Sequence, residues 1–221
     1  MEARQGGGAM AKLTFISKGA EADILLDPNW NGIKAIIKRR GEKRYRVTKL
    51  DIAIRRSRTI REASIIHHAK EAGVPTPLIY RVDPDGAQIV MEYIEGETLR
   101  DILDIISPED RARYFREIGR KTGLLHGAGI AHGDLTTSNI IHNGARVVFI
   151  DFGLAEMSDE VESQGVDLNL MYRMLISTHY NYTKELFTVF KAGYKETFDK
   201  AEEALSRMEE ISRRGRYVER E

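Results

Sequence analysis

The chain has no cysteine. That excludes disulfides and thiolate metal sites, and it suits a reducing compartment such as the cytoplasm. No apolar run approaches the roughly 20 residues of a transmembrane helix, so no membrane association is expected. Met1–Ala9 contains Gly6, Gly7 and Gly8 but lacks the apolar core of a signal peptide. Residues 1–12 therefore read as an added leader or disordered tail, with Met10 as a candidate native start. The phosphate loop G-x-x-x-x-G-K-[ST] occurs nowhere, which leaves a Walker-type NTPase unsupported. An excess of one charge sign is missing too: 34 Lys and Arg balance 34 Asp and Glu.

What is present is a globular composition, 42% hydrophobic and 31% charged over 221 residues. That length supports one large domain or two small lobes with real cores. The balanced charge is unevenly spread. Lys38–Arg61 holds eleven basic and two acidic residues, whereas Met91–Asp110 holds seven acidic and one basic. A basic block either binds nucleic acid or an acidic partner, or forms a solvated helix face.

The chain is organised around the stretch from His132 to Gly153. It reads His132-Gly133-Asp134-Leu135-Thr136-Thr137-Ser138-Asn139, then an apolar strand Val147–Ile150, then Asp151-Phe152-Gly153. Asp134, Asn139 and Asp151 are the polar groups that stand out. Phosphoryl transfer needs such a set: a carboxylate facing the attacking hydroxyl, and an amide plus a second carboxylate to hold Mg²⁺ on the ATP phosphates. The alternative is a β-hairpin rich in turn-favouring residues.

The stretch resembles the catalytic and magnesium loops of the protein-kinase superfamily, H-x-D-L-x-x-x-N followed by D-F-G. On that resemblance Asp134 is the catalytic acid–base group, and Asn139 and Asp151 are the metal ligands. The earlier chain follows the same order. Leu13–Leu26 reads as two strands around Ser17-Lys18-Gly19-Ala20-Glu21-Ala22. Here the superfamily covers ATP with a glycine-rich loop, although this one has a single glycine. Gly19, Ala20 and Glu21 are its candidate ATP-binding residues. Ile33–Lys38 reads as a strand ending Ala35-Ile36-Ile37-Lys38, which resembles V-A-I-K and gives Lys38 the phosphate-binding role, with Lys34 as competitor. Leu50–Ala72 reads as a helix ended by Gly73 and Pro75. Its central acid, Glu62, is the expected partner of Lys38.

Leu78–Val82 and Ala87–Met91 read as strands about the turn Asp83-Pro84-Asp85-Gly86. They complete a five-stranded lobe over residues 13–91. Residues 92–96 are the expected hinge, where backbone groups near Glu92 and Ile94 would pair with adenine and Met91 would wall the pocket. Ser107-Pro108-Glu109-Asp110 starts a helix with an N-cap, a first-turn proline and acids at the positive end. Phe115, Ile118, Thr122 and Leu125 form its core face. His126 reads as packed or capping rather than a ligand, and His132 as a structural brace.

Only 68 residues follow Gly153. Leu154–Gly165 is acidic, and no Ala-Pro-Glu occurs. Gly133 replaces the motif arginine, so switching by activation-loop phosphorylation is not expected. A helix is expected from Val166-Asp167-Leu168, and Asp167 resembles the buried aspartate that ties down the catalytic loop. Leu186–Met208 reads as one amphipathic helix, and residues 213–221 as a basic tail carrying Arg213, Arg214, Arg216 and Arg220.

The fold expected is α+β: a bilobal protein-kinase-like fold with a five-stranded N-lobe and a minimal helical C-lobe over residues 97–212. Lys18-Gly19-Ala20-Glu21-Ala22-Asp23, His132–Asn139, the small size and Arg213–Val218 together resemble the small atypical kinases of the KEOPS complex, related to RIO-type kinases. That resemblance implies an ATP- and Mg²⁺-dependent serine/threonine kinase or ATPase. It implies a threonylcarbamoyl-transferase subunit as partner, a further small subunit at the N-lobe, and tRNA reached through the complex. Two other readings stay open. One is a small-molecule, aminoglycoside-type phosphotransferase, against which the small C-lobe argues. The other is a non-catalytic kinase-like scaffold, against which Lys38, Glu62, Asp134, Asn139 and Asp151 argue.

Overall fold

The structure, a computed structural model, describes residues 13–19, 22–144 and 146–218, with backbone only for 215–218. Ala20 and Glu21, residues 1–12, where a leader is expected, and residues 219–221 lie outside the described residues. The chain divides into two compact units. The smaller comprises the residues up to Ile60 together with Leu78–Tyr93, and the larger comprises Arg61–Pro77 together with Ile94 onward.

The smaller unit is built on five antiparallel strands: β1 (Thr14–Lys18), β2 (Asp23–Trp30), β3 (Ile33–Arg39), β4 (Ile79–Asp83) and β5 (Gln88–Glu92). Their order in the sheet is β1-β2-β3-β5-β4. The β2–β3 turn is made by Asn31 and Gly32, both at positive φ (51° and 90°), which suits the right-handed twist of a tight hairpin. β3 is central, pairing Ile37 with Leu25 on one side and with Val90 on the other. Ala35, Ile37 and Val90 form the core cluster, joined by Leu25, Trp30 and Tyr80. The Trp30 and Tyr80 rings stack 5.2 Å apart. The unit also holds the first part of α1 (Thr48–Glu71). The basic block is partly spent on ion pairs here. Arg55 and Arg46 both hold Asp51, at 2.7 and 3.5 Å, and Arg56 pairs with Asp85.

In the larger unit α1 ends at Gly73 (φ 83°). There follow β6 (Glu97–Thr98), a short α2 (Leu99–Ile102) that the sequence did not announce, and α3 (Pro108–Gly127). The Ser107 hydroxyl caps α3 by accepting the Asp110 N–H at 3.1 Å. Phe115, Ile118, Thr122 and Leu125 are all fully buried, as the spacing requires. Then come β7 (Ile130–Ala131), β8 (Ile140–His142), β9 (Val147–Phe149), β10 (Glu156–Met157), α4 (Val161–Thr178), α5 (Thr183–Lys195) and α6 (Ala201–Val218). β8 pairs with β6 and β9, and β7 pairs with β10.

Three expectations need correction. α4 starts at Val161, five residues before the expected Val166. Its first turn carries Glu162, which the positive helix end favours. The last five residues of the acidic stretch Leu154–Gly165 thus belong to α4. The single helix expected over Leu186–Met208 is two, α5 and α6. The chain breaks where the Thr197 hydroxyl donates to the Arg120 carbonyl (2.7 Å) and Glu196 pairs with Arg116 (2.5 Å), contacts a continuous helix would forgo. Finally, residues 213–218 continue α6 instead of forming a separate tail. Arg213 and Arg214 are drawn into the helix by Glu209 (3.7 Å) and Glu210 (3.8 Å) one turn earlier, and Arg214 also reaches Glu162 on α4 (3.8 Å).

Candidate phosphotransfer loop and metal-binding residues

The loop between β7 and β8 carries Asp134 and Asn139. Its shape is set by a buried polar network. Asp167 on α4, 1% exposed, accepts the backbone N–H groups of His132 (2.5 Å) and Gly133 (2.8 Å). The His126 ring nitrogen Nε2 lies 3.3 Å from the same carboxylate, and its Nδ1 lies 2.7 Å from the Tyr194 hydroxyl. An acceptor carboxylate on Nε2 leaves Nδ1 to accept from Tyr194. Burial raises the pKa of the Tyr194 phenol and the Asp167 charge adds to this, so that the phenol stays a donor. Asp167 therefore ties down the loop as expected, and His126 is a packed residue. Tyr194 was not foreseen: it lies on α5, and no local pattern links it to the loop.

His132 is fully buried beneath the loop, its ring 4.7 Å from that of Phe152. Burial pushes its pKa down, against the opposing charges of Asp167, Asp151 and Asp134. The neutral ring accepts the Asp134 N–H at Nδ1 (3.4 Å). Gly133 sits at φ 76°, and a Cβ there would meet the Leu154 carbonyl oxygen at 2.4 Å. The arginine of the usual motif is therefore excluded by backbone conformation as well as by space. Further along, the Thr137 hydroxyl lies 3.4 Å from Nε2 of His179, a second support the sequence did not mark.

Asp134 and Asn139 are joined directly. The Asn139 amide nitrogen donates to the Asp134 carboxylate (2.8 Å) and to the Asp134 carbonyl (2.9 Å). That orientation leaves Asn139 Oδ1, a hard oxygen, as the atom for a cation. The Ile150 N–H donates to the Asn139 carbonyl (2.9 Å), so the end of β9 and the end of the loop are pinned together. Asp151 follows immediately. It adopts φ 60°, unusual for a non-glycine residue, and its Oδ1 accepts the Gly153 N–H at 3.2 Å. Among the described residues no group of three or more His, Cys, Asp or Glu could hold a metal alone. Asn139 and Asp151 instead fit Mg²⁺, which takes one or two protein oxygens and completes its shell from phosphates and water.

In the smaller unit Lys38 is 4% exposed on β3. Its competitor Lys34 lies exposed, its ammonium 5.5 Å from the Tyr93 ring centroid. Burial thus separates the two lysines. Glu62, in the larger unit, is 2% exposed. Met91 and Ile94 are both buried. The Glu92 N–H donates to the Leu78 carbonyl (2.8 Å), and its carboxylate accepts the Leu78 N–H (3.0 Å). That N–H is committed to the sheet, which narrows the expected adenine contacts to the Glu92 carbonyl and Ile94. The Gly19 N–H donates to the Ala22 carbonyl (2.9 Å).

Comparison with known proteins bears on the family and the fold. The protein kinase domain family matches residues 29–197. A KEOPS complex subunit Bud32 from Pyrococcus abyssi is 47% identical over 215 residues, covering 94% of this chain and 98% of the relative. A probable bifunctional tRNA threonylcarbamoyladenosine biosynthesis protein from Methanothermobacter thermautotrophicus is also 47% identical, over 205 residues; the alignment covers 93% of this chain and 37% of that relative's length. A solved Rio2 kinase–ADP/Mg²⁺–phosphoaspartate complex from Chaetomium thermophilum shares the fold, with a TM-score of 0.63 at 16% identity over 94% of this chain and 71% of that one. The fold, the loop geometry and these likenesses lead to one assignment: the chain belongs to the protein kinase domain family and, within it, to the family of KEOPS complex subunit Bud32.

Proposed function

We propose that this chain is an atypical ATP-dependent serine/threonine kinase or ATPase that works in a KEOPS complex and supports threonylcarbamoyladenosine formation in tRNA. The observation that carries the catalytic part is the joined set Asp134–Asn139 with Asp151 at the next strand end. The biological part rests on relatives whose names include a KEOPS subunit and tRNA threonylcarbamoyladenosine biosynthesis proteins.

In this reading Lys38 holds the α- and β-phosphates of ATP, and Glu62 is the acid that positions it. Gly19, Ala20 and Glu21 cover the phosphates. The Glu92 carbonyl and Ile94 backbone take adenine beside Met91. Asn139 Oδ1 and the Asp151 carboxylate hold Mg²⁺, which neutralises charge developing on the phosphates. Asp134 accepts a hydrogen bond from the attacking hydroxyl, of a protein side chain or of water. The Asn139 amide fixes that carboxylate's orientation, which spares the reaction a reorganisation step.

Proposed partners are a threonylcarbamoyl-transferase subunit, a small subunit on the five-stranded unit, and tRNA bound through the assembly. A cytoplasmic site of action goes with them. The methanogen relatives support the first partner: they are bifunctional by name and much longer than this chain.

The test is a reconstituted complex carrying Asp134→Asn, which keeps the size of the side chain and removes its charge. Nucleotide affinity should stay within about twofold, while ATP turnover and tRNA modification fall by about two orders of magnitude, the usual scale of a positioned acid–base group. Equal losses in affinity and rate would assign Asp134 to folding instead.

A further inference from the structure

α3 and the β8–β9 hairpin border a cavity of about 330 Å³ whose lining includes none of Asp134, Asn139 and Asp151. Its chemistry is lopsided. Arg113, Arg116 and Arg120 recur along one side of α3, and Arg146 faces them from the hairpin. The one acid in the lining, Glu117, is already paired with Lys121 at 3.4 Å.

The guanidinium groups are partly held in place. Arg116 donates from Nε and Nη2 to Glu196 (2.9 and 2.5 Å), and Arg120 approaches the same carboxylate with Nη1 (3.5 Å). Arg113 donates from Nη2 to Asp110 (2.6 Å) and to the Tyr114 hydroxyl (3.2 Å). These contacts fix the side chains yet leave donors over: Nε and Nη1 of Arg113, Nη1 of Arg116, Nε and Nη2 of Arg120. Arg146 has no ion pair among the described residues. Two anchoring carboxylates therefore serve three arginines, and the fourth is uncompensated.

The walls argue about the ligand. The Tyr114 and His142 rings lie 4.3 Å apart, and the Arg113 guanidinium sits 5.0 Å from the Tyr114 ring centroid. The Tyr114 ring already has His142 and Arg113 against it, which makes it a poor platform for a nucleobase. What the cavity offers is convergent, planar N–H forks around a volume sufficient for one or two phosphate groups with water. Four arginines and no lysine favour a compact anion with several oxygens. Phosphate fits that better than a carboxylate, which carries one charge and two oxygens.

We propose that this cavity is a phosphate-binding site, which takes either the backbone phosphates of an RNA or a free polyphosphate. The site does not depend on the phosphotransfer reading, since none of its residues belongs to that machinery.

The His142 imidazole lines the site, and the loss of its NMR response in Arg113→Ala/Arg146→Ala separates binding here from a shift transmitted from the nucleotide site. The full chain is titrated with tripolyphosphate and, separately, with a single-stranded RNA of about twelve nucleotides. One or both should move the His142 signals, and Arg113→Ala/Arg146→Ala should weaken that ligand by tenfold or more in about 0.1 M salt. For RNA the slope of log affinity against log salt should also fall by about 1.4, at about 0.7 for each phosphate no longer neutralised. ATP turnover and melting temperature should not change, because these side chains are at the surface; Arg146→Ala alone gives a smaller loss in the same direction. A response to RNA only identifies the backbone as the source, and a response to tripolyphosphate identifies a free polyphosphate. The proposal is overturned if neither ligand moves His142, if the double variant binds as tightly as the wild type, or if a polyglutamate peptide binds here and the phosphates do not.

Discussion

At the scale of the residue, Gly133 shows how much of the loop is decided by backbone. It holds φ 76° with the Leu154 carbonyl oxygen 2.4 Å from where a Cβ would be. Restoring the arginine of the usual kinase motif should therefore harm the protein. Gly133→Arg is expected to cost about 1–3 kcal/mol in stability from the left-handed backbone alone, with the clash adding to it. Because Asp167 holds the Gly133 N–H, the displaced loop should also lose ATP turnover. Urea unfolding and a turnover assay check both, and a variant as stable and active as the wild type would contradict the account of the loop. The same site explains what a motif can and cannot tell. Asp134, Asn139 and Asp151 stand out in the sequence because phosphoryl transfer would need fixed residue types at fixed spacing. Tyr194 and His179 do not, since they support the loop from α5 and from the end of α4 through contacts no sequence interval encodes.

At the scale of the element, the larger unit depends on close helix packing. α3 and α5 approach through paired glycines. A Cβ on Gly119 would lie 2.0 Å from the Phe190 carbonyl oxygen, and one on Gly193 would lie 2.0 Å from that of Arg116. Since both obstacles are backbone, neither can turn aside. Gly193→Ala should force the helices apart and destabilise by about 1–3 kcal/mol, the usual cost of overpacking. The helix propensity gained by alanine offsets about 1 kcal/mol at most. Chemical denaturation measures the balance, and a stabilised variant would refute the close approach.

Elements were legible where one face is buried at a regular period, as in β3, β5 and α3. Boundaries were not legible where tertiary contacts decide them. The break between α5 and α6 is made by Thr197 and Glu196 reaching back to α3. The extension of α6 to Val218 is supported by ion pairs to Glu162 on another helix. A charge run such as Arg213–Arg216 reads as a tail only so long as those partners are unknown.

At the scale of the whole molecule, three histidines share one pH behaviour. Burial is the first cause of a lowered pKa at His132, His142 and His179; nearby Arg113 adds to it at His142 and Arg100 at His179. The sign follows. Above about pH 6.5 the rings are neutral folded and unfolded, and they contribute no pH dependence. Below it the unfolded chain takes up protons that the folded chain refuses, so stability falls with pH. For His132, fully buried, the slope approaches about 1.4 kcal/mol per pH unit. Asp51 acts in a different window. Burial raises its pKa, but the Arg55 hydrogen bond and charge, the Lys43 backbone and Arg46 bring it below the ordinary value, and that contribution disappears only near pH 4 and lower. Melting temperature should therefore decline from pH 7 to pH 5, before the carboxylates titrate. A flat or rising profile over that range would contradict the neutral, buried state of His132.

The central claim is that Asn139 and Asp151 hold the metal of a phosphotransfer reaction whose acceptor is oriented by Asp134. Its most direct test is the rate of ATP turnover by Asp151→Ala at saturating Mg²⁺, beside the wild type and with folding monitored by circular dichroism. The account predicts a folded protein whose turnover has dropped by at least about two orders of magnitude, because charge stabilisation is the largest catalytic contribution. Turnover close to that of the wild type in a folded variant would contradict it.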